Sequence, residues 1–219
     1  MIDQFFTVLS LCLVILSFPY AIYNYRLLPN AIPVHVNIKG EIDQYGSKLF
    51  IFIFPVLLTA IFSLLKMIPK YDKYSKNYLL FKSEYNLFTV TVVSFISYVE
   101  FLFIELSKQQ YDLLLYIMPG LGITLVISGF CVERSKMTQY FGCKNKWAYT
   151  SQENWTNFNF LGGLVMKVSG VMLLTGFFIK NKIVFVIAIV FTIIGVIAVH
   201  LYGDAQMRRI EKEDGKKAK

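Results

Sequence analysis

The sequence predicts an all-α integral membrane bundle of six transmembrane helices, with a short extended outer loop after the first helix. Three observations lead there. Of the 219 residues, 56% are hydrophobic and only 16% are charged, against about 25% charged in an ordinary soluble domain. Apolar stretches recur along the whole chain, each close to the ~20 residues that span a hydrocarbon layer roughly 30 Å thick at a rise of about 1.5 Å per residue. Lys and Arg gather in alternate connections between those stretches. The mean hydropathy of +0.54 agrees, because a water-soluble core cannot hide that much apolar surface.

The spans are expected at residues 5–25, 49–65, 87–106, 113–132, 160–179 and 183–202. The first is read as a permanent helix and not as a signal peptide, since the residues before it offer Asp3 and no Lys or Arg, and its apolar run exceeds a typical h-region. The remainder is short loop, without low-complexity sequence or a clear repeat. The chain is therefore expected to be a single membrane domain over 1–219. Within it, 1–85 form a first helix pair with its loop, 86–132 a central pair, and 133–219 a second loop, the last pair and a basic tail.

Outside the spans, the first, third and fifth connections hold six Lys and Arg, whereas the second, the fourth and the two terminal segments hold fifteen. The positive-inside rule makes the richer side cytoplasmic and places both termini there. The net charge of +8 reads as a topology signal and an attraction to anionic lipid head groups, with no direct nucleic-acid partner. Cys12 and Cys131 fall within spans and Cys143 in a loop on the reducing side, so no structural disulfide is expected.

The first connection reads LPNAIPVHVNIKGEIDQYGSK from Leu28 to Lys48. Val34, Val36 and Ile38 alternate with His35, Asn37 and Lys39, which predicts an extended segment with one apolar and one polar face. Gly40 permits a sharp turn that brings Glu41 and Asp43 beside the polar face. A metal held by one His and carboxylates is one reading of this cluster. The other has His35 and Asn37 hydrogen-bonding the loop backbone and Glu41 or Asp43 paired with Lys48. The only other histidine, His200, is expected on the opposite membrane face, so neither a two-His site nor an HExxH site can form. No cofactor or resident metal is assigned.

This stretch resembles the SdpI-type membrane proteins, named for the immunity protein that protects a sporulating bacterium from its own secreted peptide toxin. The shared pattern is carried by Leu28, Pro29, Ile32, Pro33, His35, Asn37, Gly40, Glu41, Asp43, Tyr45, Gly46, Ser47 and Lys48, without a gap. A second signature of the family matches Tyr140, Phe141, Gly142, Trp147, Ser151, Trp155, Leu161, Gly162 and Gly163. The chain departs from that signature at Gln139, Lys144 and Lys146; Lys144 keeps the charge of the family's Arg and loses its planar fork. The resemblance implies a non-enzymatic protein of the bacterial cytoplasmic membrane that confers toxin resistance. His35, Asn37, Gly40, Glu41, Asp43, Tyr45 and Lys48 would contact a secreted peptide toxin on the outer face. Lys144, Trp147, Glu153 and Trp155 would form a cytoplasmic surface that sequesters a soluble repressor of ArsR type, coupling protection to signal transduction.

Two further features concern the membrane interior and the second loop. Glu100 lies deep in the third span, where an ionisable group costs at least about 2.5 kcal/mol and faces the bundle interior or water. Lys167 in the fifth span is its expected partner, with snorkelling as the alternative. Glu105 is expected to reach the interface beside Lys108, and Glu133 and His200 to be solvated at span ends. Thr150 and Glu153 match a capping box that would start the fifth helix. Ordinary interfacial anchoring is the alternative role of the two tryptophans. A transporter or channel using Glu100 and Lys167 is the second functional reading, and a membrane enzyme using His35, Glu41 and Asp43 the third.

Overall fold

The computed structural model describes residues 2–37, 40–109 and 111–217, with side chains through residue 213. Among the described residues, six helices are long and apolar enough to cross a membrane: α1 (Ile2–Leu27), α2 (Ile53–Tyr71), α3 (Lys82–Lys108), α4 (Leu113–Glu133), α5 (Gln152–Phe178) and α6 (Ile183–Lys217). Each expected span lies largely or wholly within one of them, and the helices mostly run several residues beyond the apolar stretch. Large apolar side chains such as Leu16, Val56, Phe178 and Ile194 remain exposed on the outer surface of the bundle, as hydrocarbon surroundings allow.

The helices form two groups of three, α1–α2–α3 and α4–α5–α6, joined by α3 packing on α4. The closest helix pair is α4 with α5, and glycine sets that proximity. A Cβ added to Gly129 would lie 2.6 Å from the Gly163 carbonyl oxygen, and one added to Gly163 equally close to that of Gly129. The same reciprocal approach recurs two turns away, where added Cβ atoms at Gly122 and Gly170 would lie 2.8 and 2.5 Å from each other's carbonyls. Lipid offers no hydrophobic force to drive helices together, so backbone proximity and dispersion contacts supply the adhesion.

At one end of the bundle the first connection forms a hairpin of β1 (Ala31–Val36) and β2 (Ile42–Ser47), antiparallel, with irregular register on either side of His35. The second strand is a correction to the single extended segment expected from the sequence. Its pattern, IDQYGS, has little apolar alternation and is mostly exposed, so periodicity could not reveal it. Ile38 and Lys39 of the expected alternation lie outside the described residues. The hairpin is held down by Ile32, fully buried against Ala21, Leu28, Ile51 and Ile104.

Candidate functional site

The hairpin gathers its polar side chains in pairs. His35 Nδ1 lies 2.6 Å from Asp43 Oδ1 on the exposed face. Asn37 Nδ2 donates to Glu41 Oε2 at 3.0 Å, and the Glu41 amide donates back to Asn37 Oδ1 at 3.1 Å. Gly40 takes φ +86° at the turn, a conformation that glycine adopts without steric cost. Lys48 pairs with neither carboxylate, contrary to one expectation: its ammonium stands 4.6 Å from the centre of the Tyr25 ring, a cation–π geometry. Among the described residues, no three His, Cys, Asp or Glu side chains gather in a metal-ligating group.

The tip of the hairpin meets the other two connections at its end of the bundle. A Cβ on Gly40 would lie 3.0 Å from Asp112 Oδ1 and 3.2 Å from Lys182 Nζ, and these two side chains form an ion pair of 3.0 Å between the third and fifth connections. Asp112 also caps α4, its carboxylate accepting from the Leu115 amide at 3.4 Å. Between tip and connection lies a polar pocket of about 460 Å³ lined by Gly40, Glu41, Ile42, Tyr45, Tyr111 and Asp112. Burial pushes the Tyr111 phenol above its ordinary pKa. Two carboxylates and two phenols make this pocket an acceptor-rich, aromatic surface suited to a cationic or hydrogen-bond-donating group.

At the opposite end, the loop between α4 and α5 is folded around two buried polar side chains that the sequence reading did not single out. Asp72, 4% exposed, accepts from the amides of Tyr74, Gln139 and Tyr140 at 2.7 to 3.0 Å and from the Tyr78 hydroxyl at 2.8 Å. It ties the end of α2 to the start of the second signature. Burial and the Asp72 bond raise the Tyr78 pKa. Asn159, fully buried, accepts from the Cys143 amide at 2.6 Å and donates to the carbonyls of Cys143 and Trp155 at 3.1 and 3.0 Å. This bracket holds Gly142, at φ +86°, where an added Cβ would lie 2.7 Å from Asn159 Oδ1.

The tryptophans are corrected from surface to core. Trp155 is 0% and Trp147 6% exposed; Trp155 Nε1 donates to Ser135 at 3.2 Å, and Trp147 packs edge-on against Phe158 and Tyr202. Both side chains are turned into the core, and the exposed residues of this loop include Tyr140, Lys146 and Glu153. Lys144 is partly buried, donates to the Gln139 carbonyl at 3.1 Å, and is held below the ordinary lysine pKa by burial. The cap of α5 is Ser151, whose hydroxyl accepts from the Asn154 amide at 3.0 Å. The expected Thr150–Glu153 box is thus displaced by one residue, with Thr150 Oγ1 instead accepting from Asn154 Nδ2 at 2.7 Å.

Inside the membrane, the expected Glu100–Lys167 pair does not form. Lys167 donates to Glu133 at 2.7 Å across the α4–α5 contact, which also removes Glu133 from a purely solvated role. Glu100 accepts from Ser17 Oγ of α1 at 2.6 Å. Glu105 pairs with Lys108 at 2.7 Å. The two ionisable groups thus belong to different helix groups, and no Glu100–Lys167 link joins them into a path.

Six apolar helices, capped at one end by a polar hairpin and at the other by a loop built on buried carboxylate and amide, define a polytopic helical membrane protein. Residues 134–203 match the model of the SdpI/YfhL protein family, which supports the SdpI-type resemblance carried by the second signature. Residues 12–59, spanning much of α1, the hairpin and the start of α2, match a separate domain of unknown function, DUF1648. No curated protein and no solved structure matches the chain.

Proposed function

We propose that this protein is an immunity protein of the bacterial cytoplasmic membrane, with both termini cytoplasmic, that protects its host by binding a secreted peptide toxin at the hairpin end. It acts as a binding protein and not as an enzyme. The observation that carries the reading is the pocket of about 460 Å³ in which Glu41 and Tyr45 of the hairpin face Tyr111 and Asp112. It combines the first family pattern with a third connection that the pattern does not include. Its acceptor and aromatic groups favour a cationic peptide segment, and the fifteen-to-six division of Lys and Arg supports placing this end outside.

The second signature loop supports a cytoplasmic role of a different kind. Its buried tryptophans, Asp72 and Asn159 shape a rigid surface on which Tyr140, Lys146 and Glu153 stand free to meet a repressor of ArsR type.

The test is survival of a sensitive bacterium expressing the native chain, challenged with cell-free supernatant of the source organism. Native protein is expected to protect. Tyr45→Ala and Asp43→Ala are expected to raise the required protein level about tenfold or more, the equivalent of losing roughly 1.4 kcal/mol of binding, at unchanged membrane abundance. Failure of the native chain to protect, or full protection by both variants, would overturn the proposal.

A further inference from the structure

Glu100 presents a polar atom that the fold leaves unanswered. Its side chain is 2% exposed, and while Oε2 accepts from Ser17, Oε1 has no hydrogen-bond partner among the described residues. One turn earlier on α3, Ser97 Oγ is also buried and without a partner there. Both residues line the same cleft of about 390 Å³ between α1 and α3, with Leu13, Leu16, Ser17, Pro19 and Tyr20 as its other walls. Leu16 on the rim is 61% exposed, so the cleft opens sideways, toward lipid. Glu100 stands eight residues before Lys108, the end of α3, which puts it about 12 Å below that end at the helical rise.

A buried polar atom without a partner costs on the order of 1–3 kcal/mol, more when it is charged. Natural proteins retain such atoms where a ligand, ion or water completes them. Here the missing partner must be a donor able to answer two oxygens, carried on something that reaches the cleft through hydrocarbon. A primary ammonium has three donors and a charge opposite to a carboxylate, and an aliphatic chain attached to it would lie along the apolar wall of Leu13 and Leu16. The terminal torsion of a glutamate is soft, so Glu100 can turn Oε1 toward the cleft without moving its helix.

We propose that the cleft between α1 and α3 binds the ammonium end of an aliphatic amphiphile entering from the lipid phase, with Glu100 as counter-ion and Ser97 as a second hydrogen-bond acceptor. The site is independent of the hairpin pocket, which lies at the membrane surface and would take a ligand from water.

The test uses the full chain in phosphatidylcholine nanodiscs, photolabelled with a diazirine-bearing octadecylamine or with the matching octadecanol, and the adducts mapped by mass spectrometry. The amine is expected to label residues 13–20 and 97–100 at least about tenfold more than the alcohol. Excess unlabelled octadecylamine should abolish that labelling and octadecanol should not; this competition needs no variant. Glu100→Gln should reduce amine labelling about tenfold with the alcohol unaffected, and Ser97→Ala should reduce it to a lesser degree. Equal labelling by amine and alcohol, displacement by both competitors, or undiminished amine labelling of a folded Glu100→Gln protein would each overturn the assignment.

Discussion

Asp72 is the residue on which the second loop depends. Its carboxylate collects three backbone amides and one phenol from two separate segments, and hydrogen bonds to a charged acceptor contribute about 1.5–3 kcal/mol each when donors would otherwise be buried unpaired. Asp72→Ala is therefore expected to destabilise the protein by about 3 kcal/mol or more and to open residues 136–146 to protease. The check is limited proteolysis with a thermal melt in detergent; a wild-type cleavage pattern would refute the anchoring role. Neither Asp72 nor Asn159 could be picked out from sequence, because a lone Asp after a helix and an Asn within one resemble any solvated or capping residue until the partner segment is in place. Trp147 and Trp155 misled in the opposite sense. In membrane proteins tryptophan commonly marks the interface, and only the surrounding loop, with Ser135, Phe158 and Tyr202, turns them inward.

At the scale of elements, the α4–α5 pair is the structural spine. Gly122 and Gly129 on one helix and Gly163 and Gly170 on the other are each seven residues apart, two turns, so both contacts fall on one seam. Gly129→Val or Gly163→Val forces the helices apart against a backbone oxygen and is expected to cost on the order of 1–3 kcal/mol or more by overpacking. It would also draw Lys167 away from Glu133. Val190→Ala, on the exposed face of α6, is the control and should leave stability within about 0.5 kcal/mol. Equal melting temperatures for Gly163→Val and Val190→Ala in the same detergent would show that the seam contributes nothing. The hairpin was half legible: Gly40 and the β1 alternation announce a turn and a strand, whereas β2 is strand-like only because β1 lies beside it.

For the whole molecule, the expectation to test is orientation. With the hairpin end outside, cysteines replacing Gln44 and Lys180 should react with a membrane-impermeant maleimide in intact cells, and one replacing Lys146 should react only after lysis. All three positions are exposed. Labelling of the Lys146 position alone in intact cells would invert the topology. Native Cys143 is no substitute as a marker, because its sulfur packs against Gly162 and burial raises its thiol pKa. The small thiolate fraction near neutral pH would keep it unreactive from either side.

Composition and the length of the apolar stretches were enough by themselves to determine six helices, their order and their approximate limits, because the bilayer imposes one length and one hydrogen-bonding solution on every span. The two motif loops were likewise legible as patterns of residue types. Partnership was decided only by the tertiary structure: Glu100 with Ser17 in place of Lys167, Lys167 with Glu133, His35 with Asp43, and the hairpin tip against Asp112 and Lys182. A hydropathy pattern records how deep a residue lies and leaves open which way around its helix it points. In hydrocarbon that rotation is set by contacts such as the glycine seam between α4 and α5, which exist only once both helices are present.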